Sequence, residues 1–189
     1  KKNKKKLIRT KKRLRVTNKM SKLITTKKDL KRILTGYVTT DNYNSIPEWV
    51  EVYKNDFSGP LDIEILNSLV SYTLNIDFKN NKQMELYLTL VLGDNNITDF
   101  NETTYTSLIK IYSDIRYFNM NKIKEYLVTM MSNDIKIKRR TIAPIFAVCN
   151  SVKSLDLCLS IYSISKTRTL ELLDIDYMNI LNTIDKTDM

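Results

Sequence analysis

Histidine is absent from the 189 residues, and glycine and proline occur only three times each. Without an imidazole there is no histidine general base, no catalytic triad of the usual type and no Cys/His zinc site. So few glycines and prolines leave little material for the tight turns of a hairpin-rich β protein, and favour long helices joined by polar turns. The two cysteines, Cys149 and Cys158, lie nine apart within apolar helical patterns. They imply no disulfide framework and are expected to behave as small core residues. No apolar run approaches the roughly 20 residues that would span a bilayer, so the sequence reads as soluble, with no membrane partner.

What is abundant is positive charge, and it is unevenly spread. Of 31 Lys and Arg, 16 fall in residues 1–32, beside a single acid, Asp29. The remainder carries 15 positive and 20 negative charges, a net of −5. The opening stretch from Lys1-Lys2-Asn3-Lys4-Lys5-Lys6 through Arg15 can neutralise phosphates, bind anionic lipid or serve as a nuclear address. A solvated leader is the plainer alternative. Because the sequence begins at Lys1, it is expected to be a fragment that has lost any targeting peptide. One basic cluster stands in the body: Lys136, Lys138, Arg139 and Arg140, at a junction between two expected helices. The acids, Asp174 and Asp176 among them, are read as scattered over helix ends and solvent faces.

The chain repeats itself. Five segments place apolar or aromatic residues at i, i+3, i+4 and i+7, the stripe of one helical face. They are Leu30/Ile33/Leu34/Tyr37, Leu66/Leu69/Val70/Thr73, Tyr105/Leu108/Ile109/Tyr112, Ile142/Ile145/Phe146/Cys149 and Tyr177/Ile180/Leu181/Ile184, with Thr73 the only weak member. Their starts are separated by 36, 39, 37 and 35 residues, the span of a helix-turn-helix unit. A second amphipathic stretch follows each of the first four: Trp49/Val52/Tyr53, Met84/Leu88/Val91/Leu92, Ile123/Leu127/Met130/Met131 and Leu155/Leu159/Tyr162. Each unit thus supplies a helix A and a helix B. Ser45-Ile46-Pro47-Glu48 offers a helix cap, while Gly59-Pro60 and Gly93-Asp94-Asn95-Asn96 close units. The expectation is an all-α chain. A basic tail over 1–26 precedes an array over 27–189, with units near 28–60, 61–100, 101–137, 138–173 and 174–189. Stacked pairs would bury a core between A and B layers; an ordinary helical bundle with evenly spaced helices is the alternative.

Within that array, Thr104-Tyr105-Thr106-Ser107-Leu108-Ile109 resembles the start of helix A in pentatricopeptide repeats: a hydroxyl, an aromatic, a small polar residue, then apolar positions. Ile65-Leu66-Asn67-Ser68-Leu69-Val70 is a weaker copy. From Asn101 to about Asn150 the resemblance narrows. Asn101-Glu102-Thr103-Thr104-Tyr105-Thr106, followed by Ile135-Lys136-Ile137-Lys138-Arg139-Arg140-Thr141-Ile142-Ala143-Pro144, is similar to the repeat region of protein-only RNase P. Ile137 departs from the family where a proline is common, and Ile142 where an aromatic is common. The A-to-B connection around Tyr117-Phe118-Asn119-Met120 is long.

The resemblance implies a right-handed α-solenoid whose A helices line a concave RNA-binding surface. It pairs Asn67 with Asn101, Thr106 with Lys138 and Ala143 with Leu173 as residues facing bases, since short amides and hydroxyls suit unstacked base edges. Lys138 and Arg140 would approach the tRNA backbone near the D and TψC loops, with Lys136, Arg139, Lys110 and Arg116 extending the basic patch. The implied partner is precursor tRNA and the implied state a monomer. The implied setting is a mitochondrion or plastid, or else the nucleus. The fragment itself has no expected catalytic residue, metal ligand or cofactor; Mg²⁺ would belong to a nuclease domain outside this chain. Two other readings stay open: an organellar mRNA or rRNA factor, and a repeat scaffold that binds protein.

Overall fold

The structure, a computed structural model, describes residues 60–187 apart from 94, together with 29, 32, 33, 36, 46, 49–51 and 53. Among the described residues the regular structure is helical, without strands. The helices are α1 (Ile63–Tyr72), α2 (Asn81–Leu92), α3 (Glu102–Tyr112), α4 (Met120–Ser132), α5 (Arg139–Val152), α6 (Leu155–Thr167) and α7 (Asp174–Thr187). Short 3-10 turns lie at Thr73–Asn75 and Ile97–Asp99. The tail over 1–26, the expected cap at Ser45 and Glu48, and most of the Leu30/Ile33/Leu34/Tyr37 stripe lie outside the described residues.

The described residues fall into two compact units, one drawn from Lys1–Tyr72 and Glu85–Asn95, the other from Thr73–Met84 and Asn96–Met189. In the first, Ile65, Leu66, Leu69 and Val70 form the buried face of α1. Leu88 and Val91 of α2, with Ile46, Trp49, Val50 and Tyr53, are also buried. Asn95, just past α2, accepts from the Leu61 amide at 3.3 Å and donates to the Leu61 carbonyl at 2.9 Å. That side chain therefore satisfies both polar groups of a backbone position that no helix covers.

The second unit shows the helical pairing most clearly. α3 packs on α4 and α5, α5 on α6 and α7, and α6 on α7. Tyr105, Leu108, Ile109 and Tyr112 of α3 are all buried, as are Ile142, Ile145, Phe146 and Cys149 of α5. Both stripes face neighbouring helices. Tyr126 of α4 lies against Tyr105 and Tyr112, with ring centroids 6.1 and 6.0 Å apart, tilted in the manner aromatic pairs prefer. The Tyr105 hydroxyl donates to the Ile97 carbonyl.

Two helices depart from the expected stripes. In α6 the buried face is Leu157, Cys158, Ile161 and Ser165, whereas Leu159 is exposed and Leu155 and Tyr162 are half-buried. Apolar residues occupy nearly every second position of this helix, so spacing does not single out one face and packing on α5 selects it. In α7 only Ile180 of the expected apolar four is buried, and Tyr177 and Leu181 are exposed.

Local chemistry sets the helix ends. Asn101 caps α3 by accepting from the Thr104 amide at 3.1 Å, and Asn119 caps α4 by accepting from Lys122 at 3.2 Å. At the other ends the backbone turns left-handed, at Gly93 (φ 46°) after α2, Asp134 (53°) after α4, Lys153 (56°) after α5 and Thr169 (50°) after α6. The next amide reaches back five residues after α4, α5 and α6: Ile135 to Met130, Ser154 to Cys149 and Leu170 to Ser165. This is the bond that closes a helix through a left-handed residue. Pro144 lies inside α5 without ending it.

Candidate nucleic-acid interface

The basic cluster sits at the beginning of α5, with Lys138 as its N-cap and Arg139 and Arg140 in its first turn. Cations are unfavourable there, because the unpaired amides of a helix N-terminus already carry partial positive charge. Acids at the starts of two helices packed against it, α3 and α7, compensate. Glu102 opens α3, and Asp174 and Asp176 stand in the first turn of α7.

Glu102 serves two cations and a hydroxyl. Its carboxylate accepts from Lys138 Nζ at 3.0 Å, from Arg140 Nε at 3.0 Å and from the Arg140 Nη2. It also accepts from Thr106 Oγ1 at 2.9 Å. Thr106 Oγ1 is in turn 2.7 Å from Thr141 Oγ1. An ionised carboxylate only accepts, so Thr106 spends its proton on Glu102 and Thr141 must donate to Thr106. Burial would raise the Glu102 pKa, but the hydrogen bonds from Arg140, Lys138 and Thr106 and the Arg140 charge outweigh it and bring it down to about 2.

Arg139 points to the other neighbour. Its Nε lies 2.6 Å from Asp176 Oδ2 and its Nη2 3.2 Å from Oδ1, a two-pronged guanidinium–carboxylate pair. Asp176 also accepts from the Leu173 amide at 2.9 Å, closing the first turn of α7. Its side chain is 2% exposed. Asp176 thus stands at a helix end, as expected, but it does not face solvent: it is a buried joint between α5 and α7. A carboxylate so buried needs hydrogen-bond partners, and the arginine fork with the backbone amide supplies them.

The other expected residues are distributed as follows. Thr106 is buried and directs its hydroxyl between α3 and α5, so it does not present it outward as a base-facing residue would. The small hydroxyl that allows close approach of two helices is the physical reason. Asn101 is exposed, but its side-chain oxygen is engaged by Thr104. Asn67 is half-buried on α1, in the other compact unit. Lys110 is half-buried on α3 and Lys136 is exposed, two residues before Lys138. Arg116 follows α3, where it bridges both oxygens of Asp114 at 3.0 and 2.8 Å, reaches Asp77 at 3.4 Å and lies over the Tyr117 ring at 5.1 Å. Ala143 is half-buried and Leu173 exposed.

Structure thus brings Lys138 and Arg140 together on one carboxylate, with Lys136 two residues before Lys138, and leaves Arg116 within a separate acidic cluster. Glu102, Thr141 and Asp176 are the residues that motif reasoning passed over. A signal was available: Glu102 precedes Lys138 and Arg140 by 36 and 38 residues, and Arg139 precedes Asp176 by 37. Opposite charges separated by about 37 residues are brought face to face because α3, α5 and α7 pack in succession.

Cys149 and Cys158 are both buried free thiols on the packed pair α5 and α6. The hydrogen bond that Cys149 makes to Cys158, with burial, pushes the Cys149 pKa far up. Among the described residues no three His, Cys, Asp or Glu side chains are grouped to hold a metal. No helix among them is long and apolar enough to cross a membrane. No known family model matches the chain, and no curated protein matches it in sequence.

Proposed function

We propose that this chain is an RNA-binding helical array of the pentatricopeptide type, a right-handed α-solenoid that holds precursor tRNA for a protein-only RNase P. The Mg²⁺-dependent nuclease would lie outside this chain, and the setting would be an organelle or the nucleus. The supporting observation is the half-exposed cation pair at the start of α5, Lys138 and Arg140, with side chains 45% and 52% exposed and a single carboxylate between them. Two cations on one acid leave surplus positive charge on an otherwise acidic body, at the register where the resemblance places backbone contacts. The A helices α3, α5 and α7 pack in succession, as a repeat array requires.

Filter-binding titration with precursor tRNA, an unrelated structured RNA and an RNA oligonucleotide tests this reading. Precursor tRNA is expected to bind most tightly. Equal affinity for all three removes the tRNA assignment and leaves a general RNA factor, and no binding removes RNA altogether. A protein-binding scaffold is the second reading. It is favoured by the exposed apolar residues Leu173, Ile175, Tyr177, Met178 and Leu181 at and before α7, a cluster of the kind that interaction surfaces use.

A further inference from the structure

The two acids that face the α5 cluster are built differently. Asp176 is one carboxylate for one arginine, buried, with the Leu173 amide completing its set. Glu102 is one carboxylate for two cations, and those cations are about half exposed while Glu102 itself is 17% exposed. The carboxylate therefore lies on the inner side of the cluster, and the outer edges of Lys138 and Arg140 face solvent. Arg140 meets it with Nε and Nη2 together, the fork with which a guanidinium also grips two phosphate oxygens. Lys138 adds a point charge beside the same oxygen. At Arg116, by contrast, two acids, Asp114 and Asp77, accompany one arginine, and no surplus charge remains.

We infer that Glu102 is a resident counter-ion occupying the seat of a nucleic-acid phosphate, so that RNA engages Lys138 and Arg140 by displacing or sharing their contacts to this carboxylate. This rests on the RNA-binding reading and adds its regulation: the site carries its own competitor. Glu102 already fills the Arg140 fork, so an incoming phosphodiester must compete with it for those two donors. The helix start it occupies favours a negative charge, so Glu102 stays seated when no RNA is bound.

The test is a precursor-tRNA titration at low and moderate salt with the wild-type chain, Glu102→Gln, Glu102→Asp, Arg140→Gln and the Glu102→Gln/Arg140→Gln double variant, each checked for helical content. Glu102→Gln keeps an acceptor for Thr106 but removes the competing charge, and is expected to bind about threefold or more tighter at low salt. Glu102→Asp keeps the charge at the helix start and withdraws it by one methylene, giving an intermediate gain that guards against a folding defect in the glutamine variant. Arg140→Gln is expected to weaken binding, and the double variant to lose the gain. Binding by the wild type with no gain in either Glu102 variant overturns the counter-ion role and leaves the RNA reading standing. Absence of binding in every variant overturns both.

Discussion

The Thr141, Thr106 and Glu102 side chains form a one-way hydrogen-bond chain that crosses from α5 to α3 and ends on a charge. Thr141→Val keeps the shape and removes the first donor, leaving Thr106 Oγ1 with its acceptor position empty in a buried place. The expected loss is about 1 kcal/mol, read as a lower urea midpoint with an unchanged slope. Glu102 gives a pH signature. Its folded-state pKa, about 2, lies below the ordinary 4.5, so its contribution is present above about pH 4.5 and fades as pH falls towards 2. The wild-type chain should exceed Glu102→Gln in denaturation midpoint at pH 5, and the gap should narrow between pH 4.5 and 2. Asp114, also lowered, chiefly by its hydrogen bond from Arg116, destabilises both chains equally in acid, so the difference between them isolates Glu102.

At the scale of the element, the stripes of α1, α3 and α5 were legible because their apolar residues recur with helical spacing and little else apolar interrupts them. α6 was not, because Leu155, Leu157, Leu159, Ile161 and Ile164 follow a near-alternating pattern that leaves the buried face undetermined until α5 is placed beside it. Paired substitutions check the resulting assignment. Phe146→Ala, at a fully buried position of α5, should cost about 3–5 kcal/mol, whereas Leu159→Ser on the exposed side of α6 should change stability by less than about 0.5 kcal/mol. Thermal or urea unfolding of the two variants distinguishes them, and a large loss at Leu159 would contradict the placement of that helix. The candidate site was legible only by halves. Residue type and register located Lys138 and Arg140, but the burial of Thr106 depends on how closely α3 approaches α5, which no local pattern encodes.

For the whole molecule, the formal charge of +10 conceals a body that is net acidic after residue 32. On the proposed RNA-binding reading, two sources of affinity are then separable. If the first 26 residues supply a general attraction, their removal should flatten the dependence of log affinity on log salt by several units. Lys138→Ala should reduce the slope by about one if it meets a single phosphate. Salt-dependent titration of the two variants measures each share.

The scarcity of glycine has a further consequence at the corners between helices. Among the described residues, Asp134, Lys153 and Thr169 adopt a left-handed backbone where glycine would rest without a steric penalty, and Gly93 after α2 is the one glycine in that role. The branched Thr169 suffers most. Replacing these three by glycine should therefore ease the corners without touching the buried stripes or the charged joints, raising heat tolerance by some degrees. Such a sturdier version would suit crystallisation and binding work alike.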